Sequence, residues 1–362
     1  MAISLSGRTM ILAFAALTVG AAQPPSHLGA APLGLEPAVR GNGPATAEQG
    51  DLTILTYNVK GLPWPLAWER DAALARIGDR LRRLRAAGRQ PRVVLLQEAF
   101  TDTAKRIGRD SGYRHSAFGP GLEGPATGRP ALAEKAFLGS ANPLKGEGIG
   151  KITDSGLQIL SDYPILDVRT AAFSATACAG YDCLANKGMV AVLIAVPGRA
   201  TPVAIINTHL NARKASGVSP ERALEAYRRQ FEELDRFRAR VVPRGVPTII
   251  AGDLNVGRSP ERRALAHAVV GRWLNRKSIA LTGGSLRACF VAGAPCGSAM
   301  PRDAARALRH NKDWQIALPA AGAELVPQAI DVPFGIESDG TMLSDHIGYA
   351  VRYRLQTARR AA

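Results

Sequence analysis

Gly252-Asp253-Leu254-Asn255 is the stretch that decides the fold, and it follows the apolar run 248–251, which is predicted to form a buried β-strand. An acid at the end of a buried strand needs a partner, because an isolated buried charge is very costly. A divalent cation is one such partner, and carboxylate and amide oxygens favour Mg²⁺, Mn²⁺ or Ca²⁺ over zinc. Taken alone, Asp253 fits a helix cap or an ion pair at least as well.

The same pattern of polar residues beside a predicted strand recurs on both sides of this stretch. The further positions are Asn58 after the strand 52–57, Gln97-Glu98 after 93–96, His209 and Asn211 after 203–207, and Ser344-Asp345-His346 before 347–355. Each cluster carries side chains able to bind a metal ion or a phosphate. We therefore expect the five clusters to gather at one edge of the predicted sheets.

The segments between these strands read as amphipathic helices. Apolar residues recur at helical spacing within 70–87, where Gly88 is the predicted stop. Two further helices are predicted to begin at Ser219-Pro220-Glu221 and Ser259-Pro260-Glu261, where a capping serine precedes an N1 proline and a first-turn acid. This alternation predicts an α/β (α+β) fold, a four-layer α/β/β/α sandwich. The Gly- and Pro-rich segment 119–150 is predicted to be a long surface excursion that could face a substrate.

The N-terminus has the pattern of an export signal. Arg8 precedes the apolar run 10–19, and small residues follow at 20–22, so residues 1–22 are predicted to be a signal peptide of a secreted or periplasmic protein. A retained membrane anchor is the alternative. Residues 23–49 are predicted to be a flexible Pro/Gly/Ala-rich leader, and residues 50–358 a single domain.

The composition is typical of a globular protein but does not identify a substrate. The chain has 362 residues, 46% of them hydrophobic, which is enough for one large core. Its net charge of +16 could attract nucleic acid or an anionic membrane. Arginine is abundant throughout the chain, however, so the charge does not discriminate between these partners. A monomer is expected.

Four cysteines in an exported chain favour disulfide bonds over a zinc site, because no histidine lies at ligand spacing beside them. The spacing suggests two local pairs, Cys178 with Cys183 and Cys289 with Cys296. The two other pairings stay open.

Together, the five polar clusters resemble the endonuclease/exonuclease/phosphatase (DNase I-like) superfamily over about residues 51–355. The resemblance implies a metal-dependent phosphodiesterase in which Asn58 and Glu98 bind a metal ion, with Mg²⁺ expected first. Asp253 would position the attacking water or bind a second cation.

The same resemblance assigns roles to the remaining polar residues. His346 would be the general base, with Asp345 orienting its ring. His209 and Asn255 would donate hydrogen bonds to phosphoryl oxygens, and Asn211 would contact phosphate or support His209. The alternative for His209 is a hydrogen-bonded core histidine.

The segment Tyr181-Asp182-Cys183-Leu184-Ala185-Asn186-Lys187-Gly188 is similar to the Asp-to-Lys segment of the Mg²⁺-dependent neutral sphingomyelinases, which are phospholipase C-like members of the superfamily. By that match Lys187 would bind the substrate phosphate or orient the metal site, and Asp182 would position Lys187. The alternative is an exposed loop pair that merely opens the next strand. Residues 154–161 also fit a strand of that group.

The sequence departs from some secreted bacterial sphingomyelinases in lacking a recognisable long hairpin with aromatic tips. Phe290 is the one aromatic residue in 275–300. Trp64 and Trp68 could form a lipid-facing patch or belong to the core. A phospholipid or another phosphodiester is thus the expected substrate, with a peripheral membrane contact allowed for, and choline specificity stays open.

Three other functional classes compete with this interpretation. A secreted DNase would use the same metal ligands and histidines, and the basic charge would help it bind DNA. A sugar- or inositol-phosphate phosphatase is the third candidate. A non-catalytic binding or adhesion module is the fourth, and a complete set of catalytic residues argues against it.

Overall fold

Two β-sheets form the centre of the computed structural model, which describes residues 51–64, 66–123, 132–275, 284–291, 296 and 301–356. The predicted signal peptide 1–22, the leader 23–49 and the last two residues of the predicted domain, 357–358, lie outside these residues.

The first sheet has six strands and carries the N-terminal part of the site. In chain order its strands are β1 (Asp51–Asn58), β2 (Val93–Gln97), β3 (His115–Phe118), β4 (Gln158–Ser161), β10 (Glu324–Phe334) and β11 (Gly348–Gln356). Their spatial order is β10-β11-β1-β2-β4-β3, and β1 and β2 run parallel with Asn58 opposite Gln97.

The second sheet has five strands in chain order. They are β5 (Ile165–Ala172), β6 (Gly188–Ile194), β7 (Val203–His209), β8 (Thr248–Asp253) and β9 (Asp313–Leu318). Strands β7 and β8 run parallel with His209 opposite Asp253, whereas β9 runs antiparallel to β8 with Asp313 opposite Asp253. The carboxyl ends of the parallel pairs of both sheets therefore carry the predicted catalytic clusters.

Alternating side chains along the strands build the layers. Ile54 of β1 and Leu95 of β2 lie in the core between the sheets together with Ile205 and Ile249 of the second sheet. The intervening residues, such as Leu55, face outward and pack against helices.

Helices cover both outer faces, so the predicted four-layer α/β/β/α sandwich is confirmed. The first sheet is covered by α1 (Arg70–Ala86), α2 (Asp102–Lys105) and α3 (Ile107–Asp110), and the second by α5 (Pro220–Val241) and α6 (Pro260–Leu274). The serines predicted to cap α5 and α6, Ser219 and Ser259, accept hydrogen bonds from the backbone of each first turn.

Several elements were not predicted from the sequence. The excursion 119–150 contains α4 (Leu132–Gly139) and a 3₁₀ turn at Pro143–Lys145 within its described part. The others are the strands β3, β5, β9 and β10, the helices α7 (Gly284–Ala288) and α8 (Arg302–His310), and the 3₁₀ turns Ala175–Ala177 and Gly180–Leu184.

Both local disulfide bonds are confirmed, Cys178–Cys183 and Cys289–Cys296. None of the helices within the described ranges is long and apolar enough to cross a membrane.

A buried amide network joins the two sheets directly beneath the catalytic end. The Asn207 side chain on β7 donates to the carbonyls of Leu96 (2.9 Å) and Gln158 (3.1 Å) in the first sheet. It accepts a hydrogen bond from the Gln97 amide at 2.9 Å. These contacts fix the spacing between the sheets where the strand-end residues must meet.

Candidate active site

Asn58, Glu98 and Asp253 come together although they are far apart in sequence. The Asn58 amide nitrogen donates to Glu98 Oε1 at 2.8 Å and to Asp253 Oδ2 at 3.2 Å. The Asn58 oxygen accepts from the backbone N–H of Lys60. Two carboxylates from different sheets thus point at one amide group.

The backbone at this point adopts a conformation that non-glycine residues seldom use. Glu98 has φ 55° and Asn255 has φ 48°, both in the left-handed region. A Cβ at Gly61 would lie 2.6 Å from the Glu98 carbonyl, so only glycine permits this close approach. Residues held in such conformations cluster at functional sites, where the surrounding structure enforces them.

The donor set fits a hard divalent cation. Among the residues that the structure describes, neither Glu98 nor Asp253 forms an ion pair with a lysine or an arginine; their ion-pair partners are the histidines 209 and 346. Burial raises the pKa of the Glu98 carboxyl above its ordinary range despite the hydrogen bond from Asn58. A cation held by Asn58, Glu98 and Asp253 would compensate this buried charge.

His209 and Lys187 form the second half of the cluster. The Lys187 ammonium lies 3.1 Å from His209 Nε2 and 2.7 Å from Asp182 Oδ1, and it is buried. His209 Nε2 in turn lies 3.5 Å from Asp253 Oδ2. Burial and the neighbouring Lys187 lower the pKa of His209 to about 3, which keeps its ring neutral.

The predicted partner of His346 was wrong. Both carboxylate oxygens of Asp313 lie within 3.0 Å of His346 Nδ1, whereas the side chain of Asp345 is 57% exposed and pairs with Lys60 at 3.8 Å. Asp345 immediately precedes His346, so its side chain leaves the backbone in a different direction from the imidazole ring. Asp313 starts the neighbouring strand β9 and meets the ring from across the sheet.

Two further groups face the outer nitrogen of His346. Asp253 Oδ2 lies 3.7 Å and Lys312 Nζ 3.4 Å from Nε2. Burial disfavours the charged imidazole, but Asp313 and Asp253 outweigh it and raise the pKa of His346 to about 9, with Lys312 acting in the opposite direction. A metal ion beside Asp253 would lower this pKa because it adds positive charge next to the ring.

Asn211 and Asn255 hold loops at the back of the site. Asn211 is fully buried, and its amide oxygen accepts from Ala179 N while its nitrogen donates to Ala212 O. Both ends of the Asn211 amide are thus engaged in the loops; its two predicted roles, contact with phosphate or support of His209, stay predictions. Asn255 is half-buried beside Asp253, and its amide nitrogen donates to Leu210 O at 2.9 Å.

The sequence interpretation missed Arg262, which stands behind the same two loops. Its guanidinium is buried and donates to the carbonyls of Asn211 (2.6 Å), Asn255 (3.0 Å), Ala212 and Ala223. It had been read only as part of the helix that follows Ser259. Asp313 and Lys312 were missed too, because no strand was predicted at 313–318.

Trp64 and Trp68 prove to be surface residues. Their exposed fractions are 67% and 71%, and their rings meet edge-on with centroids 6.1 Å apart. The core alternative for these tryptophans is therefore excluded.

Comparisons with known proteins agree with this architecture. The sequence profile of the Endonuclease/Exonuclease/phosphatase family matches residues 55–285. Beta toxin from Staphylococcus aureus superposes with a TM-score of 0.53 at 19% identity, covering 83% of this chain and 99% of the toxin.

Two further solved structures show the same fold. A variant of that toxin with bound magnesium ions has a TM-score of 0.51 at 18% identity, covering 84% of this chain and 99% of the toxin. SmcL has a TM-score of 0.50 at 19% identity, covering 84% of this chain and 99% of SmcL. No curated protein sequence matches the chain.

Proposed function

The chain belongs to the Endonuclease/Exonuclease/phosphatase family, and from this premise we propose that it is a secreted phosphodiesterase that cleaves a phospholipid headgroup ester, as a sphingomyelinase or phospholipase C does. Membership of the family itself supports a metal-dependent phosphodiesterase or hydrolase in general. Mg²⁺ is the proposed ion, with Mn²⁺ and Ca²⁺ as alternatives. The two disulfide bonds fit an extracellular or periplasmic location.

One observation carries the lipid proposal, the buried chain of contacts from Asp182 through Lys187 to His209. This chain of contacts supports the resemblance to the neutral sphingomyelinases, because it brings the Lys187 ammonium next to His209, whose ring lies beside Glu98 and Asp253. A buried ammonium here would attract a phosphodiester, whose single negative charge it complements. Asp182 holds that ammonium in place, and the second oxygen of Asp182 accepts from Ala212 N.

The residues divide the chemistry among them. Asn58, Glu98 and Asp253 would hold the metal ion, which when bound polarises a phosphoryl oxygen. His346 would take a proton from the attacking water at Nε2, while Asp313 accepts from Nδ1–H and fixes the ring. Lys187, His209 and Asn255 would stabilise the charge that builds on the phosphoryl oxygens.

A secreted DNase is the second candidate; the net charge of +16 would help it bind DNA, and the same charge would also attract an anionic membrane. A DNase would use the same metal ligands and histidines. A sugar- or inositol-phosphate phosphatase ranks third.

The test is a substrate panel for the mature protein with Mg²⁺: sphingomyelin, phosphatidylcholine, plasmid DNA and an inositol phosphate, each assayed separately. We expect release of phosphocholine and intact plasmid. Plasmid nicking without lipid turnover would overturn the lipid proposal and support the DNase.

Chelation and one variant test the chemistry itself. EDTA should abolish activity, and His346→Ala should lose it while its unfolding transition stays cooperative. The matched control is Asp345→Ala, which removes the neighbouring exposed carboxylate and should keep most of the activity. Full activity of His346→Ala would refute its role as the base.

A further inference from the structure

Large apolar side chains are exposed mainly around the catalytic end of the molecule. The structure describes thirteen such residues, and seven of them lie on three segments beside the site, 64–68, 144–152 and 180–184. Exposed apolar residues scattered singly are ordinary, whereas a concentration on one face marks an interaction surface. We call the group Trp64, Leu66 and Trp68 the first rim, and the group Leu144, Ile149, Ile152 and Tyr181 the second rim.

The first rim stands on the metal side of the site. Leu66 is 64% exposed, close to the values for the two tryptophans. The base of this loop is tied down, because Gly61 N donates to Glu98 O at 2.9 Å and the Arg70 guanidinium donates to the carbonyls of Val59 and Leu343. The base of the segment that carries the exposed indoles is thus fixed beside Asn58.

The second rim stands on the phosphate side. Leu144 is 89% exposed and Ile152 64%. Ile152 N donates to Leu184 O at 2.7 Å, which attaches this rim to the segment that carries Asp182 and Lys187.

A buried acid fixes the base of the second rim. The carboxylate of Glu147 accepts from Asn142 N (2.6 Å), Gly180 N (2.8 Å) and the Arg222 guanidinium (2.7 Å). Both rims are therefore anchored at the base by hydrogen bonds and expose apolar side chains.

The chemistry of these tips fits a lipid interface better than a nucleic acid. Indole rings favour the boundary between water and acyl chains, where one edge is wet and the other apolar. Lysines stand among the apolar tips: Lys145 lies 5.5 Å from the Tyr181 ring centroid, and Lys60 and Lys151 are half-buried nearby. This combination of apolar tips and basic side chains complements a phospholipid surface that contains anionic lipids.

We propose that the two rims dock on a phospholipid bilayer, the first rim beside Asn58 and the second beside the segment that carries Asp182 and Lys187, so that a headgroup enters the site from the membrane surface. The proposal rests on the proposed function and deepens it, since it specifies a bilayer as the partner.

Tryptophan fluorescence tests docking without any need for catalysis. The chain has four tryptophans; Trp314 is buried and Trp273 half-buried, so a change on adding vesicles reports chiefly on Trp64 and Trp68. Vesicles of phosphatidylcholine with one-fifth phosphatidylserine should shift the emission to the blue, and brominated lipids should quench it. The measurement is made with EDTA present, which keeps the enzyme inactive.

Variants then separate docking from chemistry. Trp64→Ala/Trp68→Ala and Leu144→Ser/Ile152→Ser should each weaken vesicle co-sedimentation by about tenfold or more. Each should also slow turnover of vesicle substrate while turnover of a monomeric short-chain lipid stays unchanged. The matched control is Val168→Ser, an exposed apolar residue on β5, which should bind vesicles like the wild type.

The outcomes distinguish this proposal from the one on which it rests. Docking is refuted if the short-chain lipid is hydrolysed but vesicles cause no blue shift, or if the rim variants bind vesicles as well as the control. Vesicle binding through the rims without turnover of any lipid would support docking and overturn the proposed lipid hydrolase.

Discussion

At the scale of single residues, Asp313 governs the protonation of His346. Replacing Asp313 by Asn keeps the shape but removes the negative charge that accepts from Nδ1. Because Asp313 and Asp253 raise the pKa of His346 to about 9 against the effect of burial, Asp313→Asn should lower this pKa. NMR titration of the ring in the metal-free protein measures the change.

The same titration discriminates between the two candidate partners of His346. Asp345→Asn is the control, since its exposed side chain pairs with Lys60 and does not contact the ring. We expect Asp313→Asn to reduce kcat by about 10²-fold or more, because the ring loses both its orientation and its stabilising charge. A larger pKa change in Asp345→Asn than in Asp313→Asn would restore the prediction made from the sequence.

Arg262 is predicted to position the catalytic loops without contacting the substrate. Lysine keeps the charge but cannot span the carbonyls of Asn211 and Asn255 together, so Arg262→Lys should lower kcat by about tenfold or more and leave KM nearly unchanged. Arg263→Lys, on the exposed side of the same helix, is the matched control.

Chemical rescue separates positioning by Arg262 from general stability. Arg262→Ala should regain part of its activity in millimolar guanidinium, well below denaturing concentrations, because the ion can occupy the vacated space. A positioning role for the guanidinium would be contradicted if Arg263→Lys lost as much activity as Arg262→Lys. It would also be contradicted if guanidinium failed to restore activity to an Arg262→Ala protein that is still folded.

At the scale of elements, the strands that carry the site could be predicted from the sequence, because each is an apolar run with polar residues at one end. β1, β2, β7, β8 and β11 lie within a few residues of their predicted bounds. Asp313 was not predicted because its role depends on which strand lies beside β8. That strand is β9, which begins 60 residues after Asp253 and pairs antiparallel with β8. Such a pairing is set by tertiary structure and not by a local sequence pattern. The role of Arg262 was not predicted because helical periodicity does not show which groups a buried arginine binds.

The link between the sheets yields an element-scale prediction. Asn207→Ala leaves the Leu96 and Gln158 carbonyls and the Gln97 amide without this partner. Such a loss of buried hydrogen bonds should lower the free energy of unfolding by about 2–4 kcal/mol. Chemical denaturation measures it, and a double-mutant cycle with Gln97→Ala isolates the direct contact.

Activity should fall more steeply than stability in this variant, because the link lies directly beneath the strand ends. Thr208→Ala, at the next position on β7, is the control; its hydroxyl bonds Gly188 O within the second sheet and does not join the two sheets. If both variants lost the same activity for the same change in stability, the link would have no special role in spacing the site.

At the scale of the whole molecule, the buried carboxylates connect metal binding to stability. Burial raises the pKa of Glu98 in the metal-free protein above the value it has in the unfolded chain. Its contribution to folding is therefore fully present below about pH 4.5 and is lost as the pH rises through the raised pKa. A Mg²⁺ ion bound at the proposed site would reverse this loss, because it would favour the ionised carboxylate in the folded state only.

We therefore expect Mg²⁺ to raise the unfolding temperature, and to do so more strongly as the pH increases from 4.5 towards 7. At 100 times its Kd the ion should add about 2.7 kcal/mol to the free energy of unfolding. Glu98→Gln removes the buried charge, so it should stabilise the metal-free protein near pH 7 and shrink the Mg²⁺ effect. Scanning calorimetry of the wild type and Glu98→Gln, with Mg²⁺ and with EDTA, measures the stability of the metal-free proteins and the effect of Mg²⁺ on each.

The control is Glu123→Gln, which changes an exposed acid remote in sequence from the ligands. An undiminished Mg²⁺ effect in Glu98→Gln would show that the stabilising ion binds elsewhere, and the metal site built from Asn58, Glu98 and Asp253 would then have to be abandoned.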